Sequence, residues 1–273
     1  MSVIPKDFLD AVVAIGIENM TDSSNDKKWI GSGFIVSRKE KDVPGKSTYY
    51  VVTNKHVIKK IRRIYVRFND LGDSFVNDYP IDLYNEQGFA SFSAHPDEKT
   101  DIIAVQIIPQ VLENAKAVWK AFDLEDHALT IKQMYETGLN EGSLVYNLGF
   151  PMNLVDVIKA PVCRIGCISR FYDTVIRQNE HPTFLIDAQS FPGNSGGPVV
   201  NRPEYIALDN TPSNTRANLI GILSGHIPYK EVLISTQTGE VRMIQEENSG
   251  LTIVYPVDRI KEVVELEWMR RRI

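Results

Sequence analysis

Short apolar runs separated by turn residues make up most of this chain, and few segments show the 3.6-residue period of a helix. Many of the runs are rich in Val, Ile, Tyr, Phe and Thr, the residues that fit a pleated sheet best. Such a chain buries its apolar side chains between strands, so the pattern predicts an all-β barrel or sandwich. The predicted strands cover residues 11–18, 33–37, 49–53, 64–68, 102–108, 143–148, 160–169, 183–186, 198–200, 219–224 and 252–256.

A helical period appears mainly at the end of the chain. Ile260, Val263 and Val264, followed by Met269, fall on one face of a segment that begins at Val257. We predict a C-terminal helix whose apolar face packs on the β structure.

The stretch 115–139 mixes aromatic and charged residues without a clean period. We interpret it as the connection between two halves of the chain, with an N-terminal domain at 1–125 and a C-terminal domain at 126–273. Two longer polar stretches, 201–218 and 228–250, are rich in Asn, Thr, Ser and Glu. They are predicted to be surface loops, where specificity is usually carried.

Charge and hydropathy exclude two classes of partner. The 273 residues carry a formal net charge of −5, so the chain lacks the broad positive field that binds nucleic acid. No apolar run approaches the roughly 20 residues that span a bilayer, and the first ten residues include Asp7 and Asp10 where a secretory signal has a basic flank followed by an apolar stretch. We expect neither nucleic acid nor a membrane as partner, and no export.

Cys163 and Cys167 are the two cysteines of the chain and lie on one predicted strand. Four residues along a strand separate Cα atoms by about 13 Å, whereas a disulfide needs them within about 7 Å. Free thiols favour a reducing compartment, hence a cytoplasmic location. No histidine or further cysteine lies nearby at metal-ligand spacing, so we predict no metal or cofactor and interpret the pair as fillers of a barrel interior.

The strongest chemical signal is the sequence FPGNSGGPVV at 191–200, a glycine-rich turn that presents the hydroxyl of Ser195 just before a strand. Glycines on both sides permit unusual backbone conformations and a close approach of substrate. The amides of Gly193 and Ser195 can point into one concavity, where they would stabilise an oxyanion. An ordinary turn of a β protein is the competing interpretation.

A serine hydroxyl needs a base, and the context of His56 and Asp101 suits a base and its partner. His56 follows the end of an apolar strand, and Asp101 precedes the nearly continuous apolar run 102–108. A buried carboxylate would fix the tautomer of the imidazole. The polar surroundings of the remaining candidates predict surface positions for His95, His127 and His181.

Together these stretches resemble the trypsin-like peptidases, and within them the HtrA-type protease domain. The resemblance runs over most of the chain, from residue 31 to about 257, with the histidine, aspartate and serine in the order of that family. The motifs that carry it are GSGFIV at 31–36, VTNKHV at 52–57, DIIAV at 101–105, DA at 187–188, PGNSGGP at 192–198 and GILS at 221–224.

The resemblance implies a chymotrypsin-like double barrel, with two six-stranded antiparallel barrels and the site in the cleft between them. It implies a serine endopeptidase that works through an acyl-enzyme, with Ser195 as nucleophile, His56 as general base and Asp101 orienting His56. His56 and Asp101 would lie on the first barrel and Ser195 on the second. The oxyanion site would comprise Gly193, Asn194 and Ser195.

The same resemblance assigns the substrate-binding residues. Ser224, Gly225 and His226 would pair with the substrate backbone as an added strand. Gln189, Ser190 and His226 would line the pocket for the side chain before the scissile bond. None of these positions is Asp or Glu, so we predict a preference for an uncharged side chain rather than for Lys or Arg.

Two departures from the family pattern matter. Zymogen-type relatives have an aspartate before the nucleophile, whereas Asn194 has no charge for a new N-terminus to pair with, so we predict activity without N-terminal processing. HtrA-type enzymes usually carry a C-terminal PDZ domain, whereas this sequence ends shortly after Val257. A stand-alone protease and a piece of a larger protein stay open, as does an activating partner or additional domain outside this chain.

Two alternatives compete with an active peptidase. The first is a catalytically idle or partner-gated trypsin-like module that binds peptides in the same cleft, although all three proposed residues are retained. The second is an esterase or acyltransferase of the α/β-hydrolase fold, in which the chain order is Ser, Asp, His and therefore opposite to the order here.

Overall fold

The computed structural model describes residues 4–19, 27–40, 42–69, 78–114, 117–156, 160–176, 183–204 and 212–272. Every predicted run is a strand within them. The strands are β1 Val12–Glu18, β2 Lys27–Lys39, β3 Ser47–Thr53, β4 Arg63–Arg67, β5 Asp78–Asp82, β6 Ser93–Ala94, β7 Ile103–Ile107, β8 Phe122–Asp123, β9 Leu144–Gly149, β10 Val162–Arg170, β11 Phe184–Asp187, β12 Pro198–Asn201, β13 Leu219–Ile234 and β14 Val241–Pro256.

Helices are few and mostly short. They are α1 Lys6–Asp10, α2 Pro109–Asn114, α3 Ile131–Glu136, α4 Tyr172–Ile176 and α5 Val257–Arg270, with 3₁₀ helices at His56–Ile58 and Pro151–Asp156. The capping box of α3 shows how local sequence starts a helix: Thr130 accepts from the Gln133 amide, and Gln133 bonds back to the Thr130 amide. No helix among the described residues is long and apolar enough to cross a bilayer.

The strands form two units, as the double-barrel prediction requires. The N-terminal strands curl into one sheet in the order β5-β4-β1-β2-β3-β7-β6, with β8 pairing with β2. The C-terminal strands close into a six-stranded barrel in the order β10-β11-β14-β13-β12-β9. The predicted fold is therefore confirmed, and the expected six strands are found in the second unit. The first unit is a half-barrel of eight strands in the described residues, and its β2–β8 pair is parallel.

Helix α5 packs against both units. Ile260, Val263 and Val264 are buried as predicted, but Met269 is 50% exposed and Glu267 is fully buried instead. The Glu267 carboxylate accepts from Ser93 on β6 and from Arg270 and Arg271 on its own helix. These bonds explain the burial, because a buried charge is costly unless it is paired. The Met269 prediction was wrong because a residue nine positions after Ile260 lies on the opposite side of a helix, whereas Glu267, seven positions after Ile260, returns to the buried face.

The stretch 228–250 is not the predicted loop. Strands β13 and β14 continue beyond the barrel as an antiparallel ribbon, with Tyr229 opposite Glu247 and Leu233 opposite Met243. We call residues 228–248 the arm. The polar composition was misleading, because both faces of this two-stranded ribbon are exposed or half-buried among the described residues, and a strand with both faces in solvent can be polar throughout. The interior of the other predicted loop, 201–218, lies partly outside the described residues.

Two smaller predictions need the same kind of correction. His95 is buried rather than at the surface, since its Nε2 lies 2.6 Å from the Glu262 carboxylate on α5. His127 is exposed as predicted, and His181 lies outside the described residues. Cys163 is exposed and Cys167 half-buried, so neither fills a barrel interior; both are free thiols on β10.

Candidate active site

The end of β3 and the start of β7 place His56 beside Asp101. The buried Asn54 donates from Nδ2 to the Asp101 carbonyl oxygen at 2.8 Å. Lys55 donates from Nζ to the His95 carbonyl oxygen at 2.9 Å. Both bonds attach the segment after β3 to the segment before β7, and the 3₁₀ helix that begins at His56 turns the imidazole out of the sheet. The local sequence thus holds an otherwise exposed ring, 48% accessible at its side chain, in one place.

The Asp101 carboxylate makes two bonds with His56. Oδ1 accepts from the His56 backbone amide at 3.0 Å, and Oδ2 lies 2.5 Å from Nδ1. Burial favours the neutral acid, but hydrogen bonds from His56 and Ser224 outweigh it and lower the pKa of Asp101 below its usual value. Since the ionised carboxylate only accepts, Nδ1 carries the proton, and Nε2 of a neutral ring is left as the acceptor.

The glycines of the Ser195 loop are required by close backbone contacts. Gly193 has a φ of +100°, and a Cβ there would lie 2.4 Å from the Phe150 carbonyl oxygen. Gly196 has a φ of +87°, and its Cβ would lie 2.1 Å from the Ser32 carbonyl oxygen. Any larger residue would clash and adopt a strained backbone, so the loop keeps its shape only with glycine.

Ser32 on β2 connects this loop to the N-terminal sheet. Its amide donates to the Ser195 carbonyl oxygen at 2.9 Å, and its hydroxyl donates to the Gly193 carbonyl oxygen at 2.6 Å. The same hydroxyl accepts from the Phe150 amide at 2.9 Å. Sequence reasoning assigned residues 31–36 only to an early strand and missed this role. The signal was a polar residue between two glycines inside an apolar strand.

Two amides of the loop are available to an oxyanion. Met152 donates to the Pro192 carbonyl oxygen at 2.7 Å, which turns the next amide, that of Gly193, the opposite way. Among the described residues, neither the Gly193 amide nor the Ser195 amide has an acceptor within the protein. The Asn194 amide differs, since it donates to the Phe191 carbonyl oxygen at 3.0 Å. Asn194 therefore shapes the turn and does not offer its amide to the site.

The Ser195 hydroxyl donates to the Ser224 carbonyl oxygen at 2.8 Å. Within the part of the chain that the structure describes, no hydrogen bond joins Ser195 to His56. Ser224 also donates from its own hydroxyl to Asp101 Oδ2 at 3.1 Å. Ser224 thus contacts both Ser195 and Asp101, and a rotation of the Ser195 hydroxyl is needed before His56 can accept its proton.

A cavity of about 560 Å³ brings most of the predicted site residues together. It is lined by Ile30, His56, Ser190, Phe191, Pro192, Gly193, Ser195, Ser224, Gly225 and His226. Gln189 does not line it: this side chain is exposed and accepts from Arg164 at 3.2 Å. Sequence reasoning placed Gln189 in the pocket and missed Ile30, Phe191 and Pro192, of which the last two adjoin the glycine motif.

The wall of this cavity is tied to the base of the arm. Asn248 donates from Nδ2 to the Ser190 carbonyl oxygen at 2.6 Å, and its own Oδ1 accepts from the Gly250 amide. No Asp or Glu is among the lining residues. The cavity therefore provides no carboxylate for a Lys or Arg side chain of a ligand.

Comparison with a solved structure, a protease domain, gives the same fold. The protease domain of MamO from Magnetospirillum magneticum, in its apo form, is 16% identical, with a TM-score of 0.50, 93% of this chain covered and 96% of that one. The HtrA-type protease AlgW with a decapeptide is also 16% identical, with a TM-score of 0.48, 98% of this chain covered and 67% of that one. No curated protein sequence matches.

The sequence also matches a family, described as trypsin-like peptidase domain, over residues 31–205. That stretch is more than half of the chain and contains His56, Asp101 and Ser195. The chain belongs to the family of trypsin-like peptidase domains.

Proposed function

We propose that this protein is a serine endopeptidase, with Ser195 as nucleophile, His56 as general base and Asp101 as the carboxylate that orients His56. The observation that carries the proposal is the double contact of Asp101 with His56, at the mouth of a cavity that also holds Ser195. An ionised partner on Nδ1 leaves Nε2 to accept a proton, which is what an uncharged serine requires.

The reaction follows from these positions. The Ser195 hydroxyl leaves the Ser224 carbonyl, gives its proton to His56 and attacks the substrate carbonyl carbon. The negative charge on the substrate oxygen is stabilised by the amides of Gly193 and Ser195. The protonated His56 then gives its proton to the leaving amine, and a water molecule hydrolyses the acyl-enzyme by the same steps in reverse order.

The substrate in this proposal is an extended peptide. Its backbone pairs with residues Ser224, Gly225 and His226, and the side chain before the scissile bond enters the cavity beside Ser190 and His226. An uncharged side chain is preferred, because no carboxylate lines the cavity.

One observation favours a partner-gated form of the same site. The Ser195 hydroxyl is bonded to the Ser224 carbonyl and, among the described residues, not to His56, so the hydroxyl has to leave Ser224 before His56 can accept its proton. A partner or a bound substrate that breaks this bond would switch the site on. The rate at which a fluorophosphonate labels Ser195 measures how readily the bond to Ser224 is broken.

Two further assignments belong to this proposal. We place the boundary between the two domains near residue 125, between the last strand of the sheet, β8, and the first of the barrel, β9. We also propose a cytoplasmic location, based on the two free cysteines of β10.

The test is covalent labelling with a fluorophosphonate probe, followed by intact mass and peptide mapping. We expect one adduct per chain on Ser195, no adduct in Ser195→Ala, and undiminished labelling in Ser169→Ala. Ser169 is the matched control because its buried hydroxyl has no hydrogen-bond partner among the described residues. Absence of any adduct from the wild type, or an adduct that persists in Ser195→Ala, would overturn the assignment.

A further inference from the structure

We propose that the free edge of β13 along the arm binds the part of the substrate that precedes the scissile bond by about five to eleven residues, as an added antiparallel strand. The occupant is an unfolded polypeptide with apolar side chains near the far end of that stretch. This inference rests on the proposed peptidase function, and it concerns a surface beyond the cavity.

The edge is continuous from the nucleophile outward. The Ser224 carbonyl points to Ser195, whereas the Ile227 carbonyl points the other way and accepts from Ser249 on β14. The pairing of β13 with β14 shifts register between Leu223 and Gly225 and between His226 and Pro228, and it is regular from Pro228 to Leu233. Successive residues of that regular stretch alternate, so Pro228, Lys230 and Val232 direct their backbone groups to the side opposite to the Ile227 carbonyl, which is the side of Ser224. On that side, the pairing of β13 with β12 ends at Ile222. In the described residues, no other strand covers the edge beyond it.

The register of the added strand follows from Ser195. Its hydroxyl lies 2.8 Å from the Ser224 carbonyl oxygen, so the residue whose carbonyl is attacked lies opposite Ser224. In an antiparallel pair, earlier substrate residues then lie opposite later residues of β13. The stretch from Ser224 to Ile234 is about 33 Å long at roughly 3.3 Å per residue, which places about the ninth substrate residue opposite Val232.

The far end of the arm has the chemistry of a binding surface. Six apolar side chains there, on both faces of the ribbon, are between 49% and 58% exposed: Val232, Leu233, Ile234, Val241, Met243 and Ile244. Contiguous exposed apolar groups of this kind mark sites of interaction. Nearer the barrel the arm is polar, with Lys230 and Glu246 paired at 2.7 Å. The arm therefore selects apolar substrate side chains only at its distal end.

Two features favour a peptide over a second copy of this chain. The base of the arm is fixed to the cavity wall through Asn248 and Ser190, so the edge is held in line with the site. Pro228 offers a carbonyl but no amide, and Lys230 adds a charge, which are the devices that discourage pairing between identical edges. A two-stranded ribbon is marginal on its own, so a third strand would stabilise the arm.

The experiment compares two peptides that share one cleavage site. The site is first mapped by mass spectrometry on a reduced, carboxymethylated α-lactalbumin digest. Quenched-fluorescence peptides then carry either four or twelve native residues before the scissile bond. We expect the longer peptide to have a kcat/KM about tenfold higher, a gain of the size that a few added strand contacts supply. An equal kcat/KM for the two peptides would overturn the proposal.

Removal of the arm separates its role from that of the site. In the arm-deleted variant, residues 230–246 are replaced by Asn-Gly, a two-residue turn that suits the paired Tyr229 and Glu247, whose backbone groups face each other when those of Pro228 face the free edge. The ratio of the two kcat/KM values should fall to about one, and the rate of fluorophosphonate labelling reports whether Ser195 is still reactive. A ratio that survives the deletion would show that the length effect arises elsewhere.

A matched pair of peptides tests the register without any change to the protein. N-methylation of the ninth residue before the scissile bond removes an amide that faces Val232, whereas N-methylation of the eighth removes one that faces away. We expect only methylation of the ninth residue to abolish the higher kcat/KM of the longer peptide. Equal effects would contradict strand addition.

Two further measurements keep other outcomes distinct. Light scattering after size exclusion would show a dimer that the deletion converts to a monomer if a second copy occupies the arm, and that result would overturn the proposal. If the wild type fails to label at all, the peptidase assignment fails by itself. Fluorescence anisotropy with the longer peptide, on wild type and arm-deleted protein, then still decides whether the arm binds polypeptide.

Discussion

The two ends of the β13–β14 ribbon have similar apolar residues but opposite surroundings. In the barrel, Leu219, Ile222 and Leu223 are buried, with β12 beside them and α5 packed nearby. In the arm, Val232 and Leu233 are about half exposed, because among the described strands β13 pairs there with β14 alone. Strands therefore form at both ends of the ribbon, and the neighbouring elements decide which end becomes core.

The barrel end also carries the proposed chemistry, through Ser224, whereas the arm has no hydrogen bond to any of the three proposed catalytic groups among the described residues. Substitutions at the two ends should therefore differ both in stability and in activity. The predictions below compare them, from the largest expected effect to the smallest.

Asp101→Asn should reduce turnover by about 10⁴, because the amide disfavours the tautomer of His56 that leaves Nε2 as acceptor. Peptide hydrolysis measured at saturating substrate checks this. The matched control is Asp82→Asn, which changes an exposed carboxylate of β5 that is paired with Arg63. A loss below tenfold would show that another group orients His56.

Leu223→Ala should destabilise the protein by about 2–5 kcal/mol, since it opens a cavity in the barrel core. The matched substitution in the arm, Leu233→Ala, should cost less than about 0.5 kcal/mol, because this side chain is already 54% exposed. Urea unfolding of both variants measures the difference. Comparable losses would mean that the arm tip is buried in solution.

Ser32→Ala should reduce the free energy of unfolding by about 1–3 kcal/mol, because the Gly193 carbonyl and the Phe150 amide lose a buried partner. It should also slow fluorophosphonate labelling, since the Ser195 loop loses the hydroxyl bond that attaches its Gly193 carbonyl to β2. Thr48→Ala offers a comparison on the same sheet, where the hydroxyl bonds the Arg38 carbonyl oxygen at 3.4 Å, far from the cavity. Slower labelling in both variants would point to a general loss of stability instead.

The smallest effect concerns pH, and again the two ends differ. The pKa of Asp101 is lowered, so its stabilising contribution is complete above the ordinary value of 3.8 and is lost as the pH falls through the lower native value. The pKa of Glu246 in the arm is lowered by the hydrogen bond from Lys230, but this pair is fully exposed and screened by solvent. The free energy of unfolding is therefore measured at about pH 6 and about pH 3 for the wild type, Asp101→Asn and Glu246→Gln. Between the two pH values, the difference between the wild type and Asp101→Asn should change more than the difference between the wild type and Glu246→Gln.

The strands and the three proposed catalytic residues could be predicted because each depends on local sequence. Period-two runs and the glycine motif are visible within ten residues. Strands β5, β6 and β8 were missed, because two are only two residues long and β5 contains Pro80.

The remaining errors concern contacts between distant parts of the chain. His95 is buried beside Glu262, which lies 167 residues later in the chain. Glu267 is buried with a hydrogen bond from Ser93, which lies 174 residues earlier. Gln189 was placed in the pocket by motif, but Arg164 on the neighbouring strand holds it outside. A local sequence pattern does not show such pairings. The positions of these side chains could therefore not be predicted from the residues around them.

The largest apolar cluster includes Phe34 of the sheet, Leu148 and Ile222 of the barrel and Ile260 of α5. The sheet and the barrel therefore share one hydrophobic core in addition to their own. Loosening either unit exposes apolar surface of the other, so the two should melt in a single cooperative transition. The width of the cavity is in this way part of the folding equilibrium, because hinge motion between the two units cannot widen it without loss of core contacts. Under the proposed function, adaptation to different substrates is left to the loops and the arm.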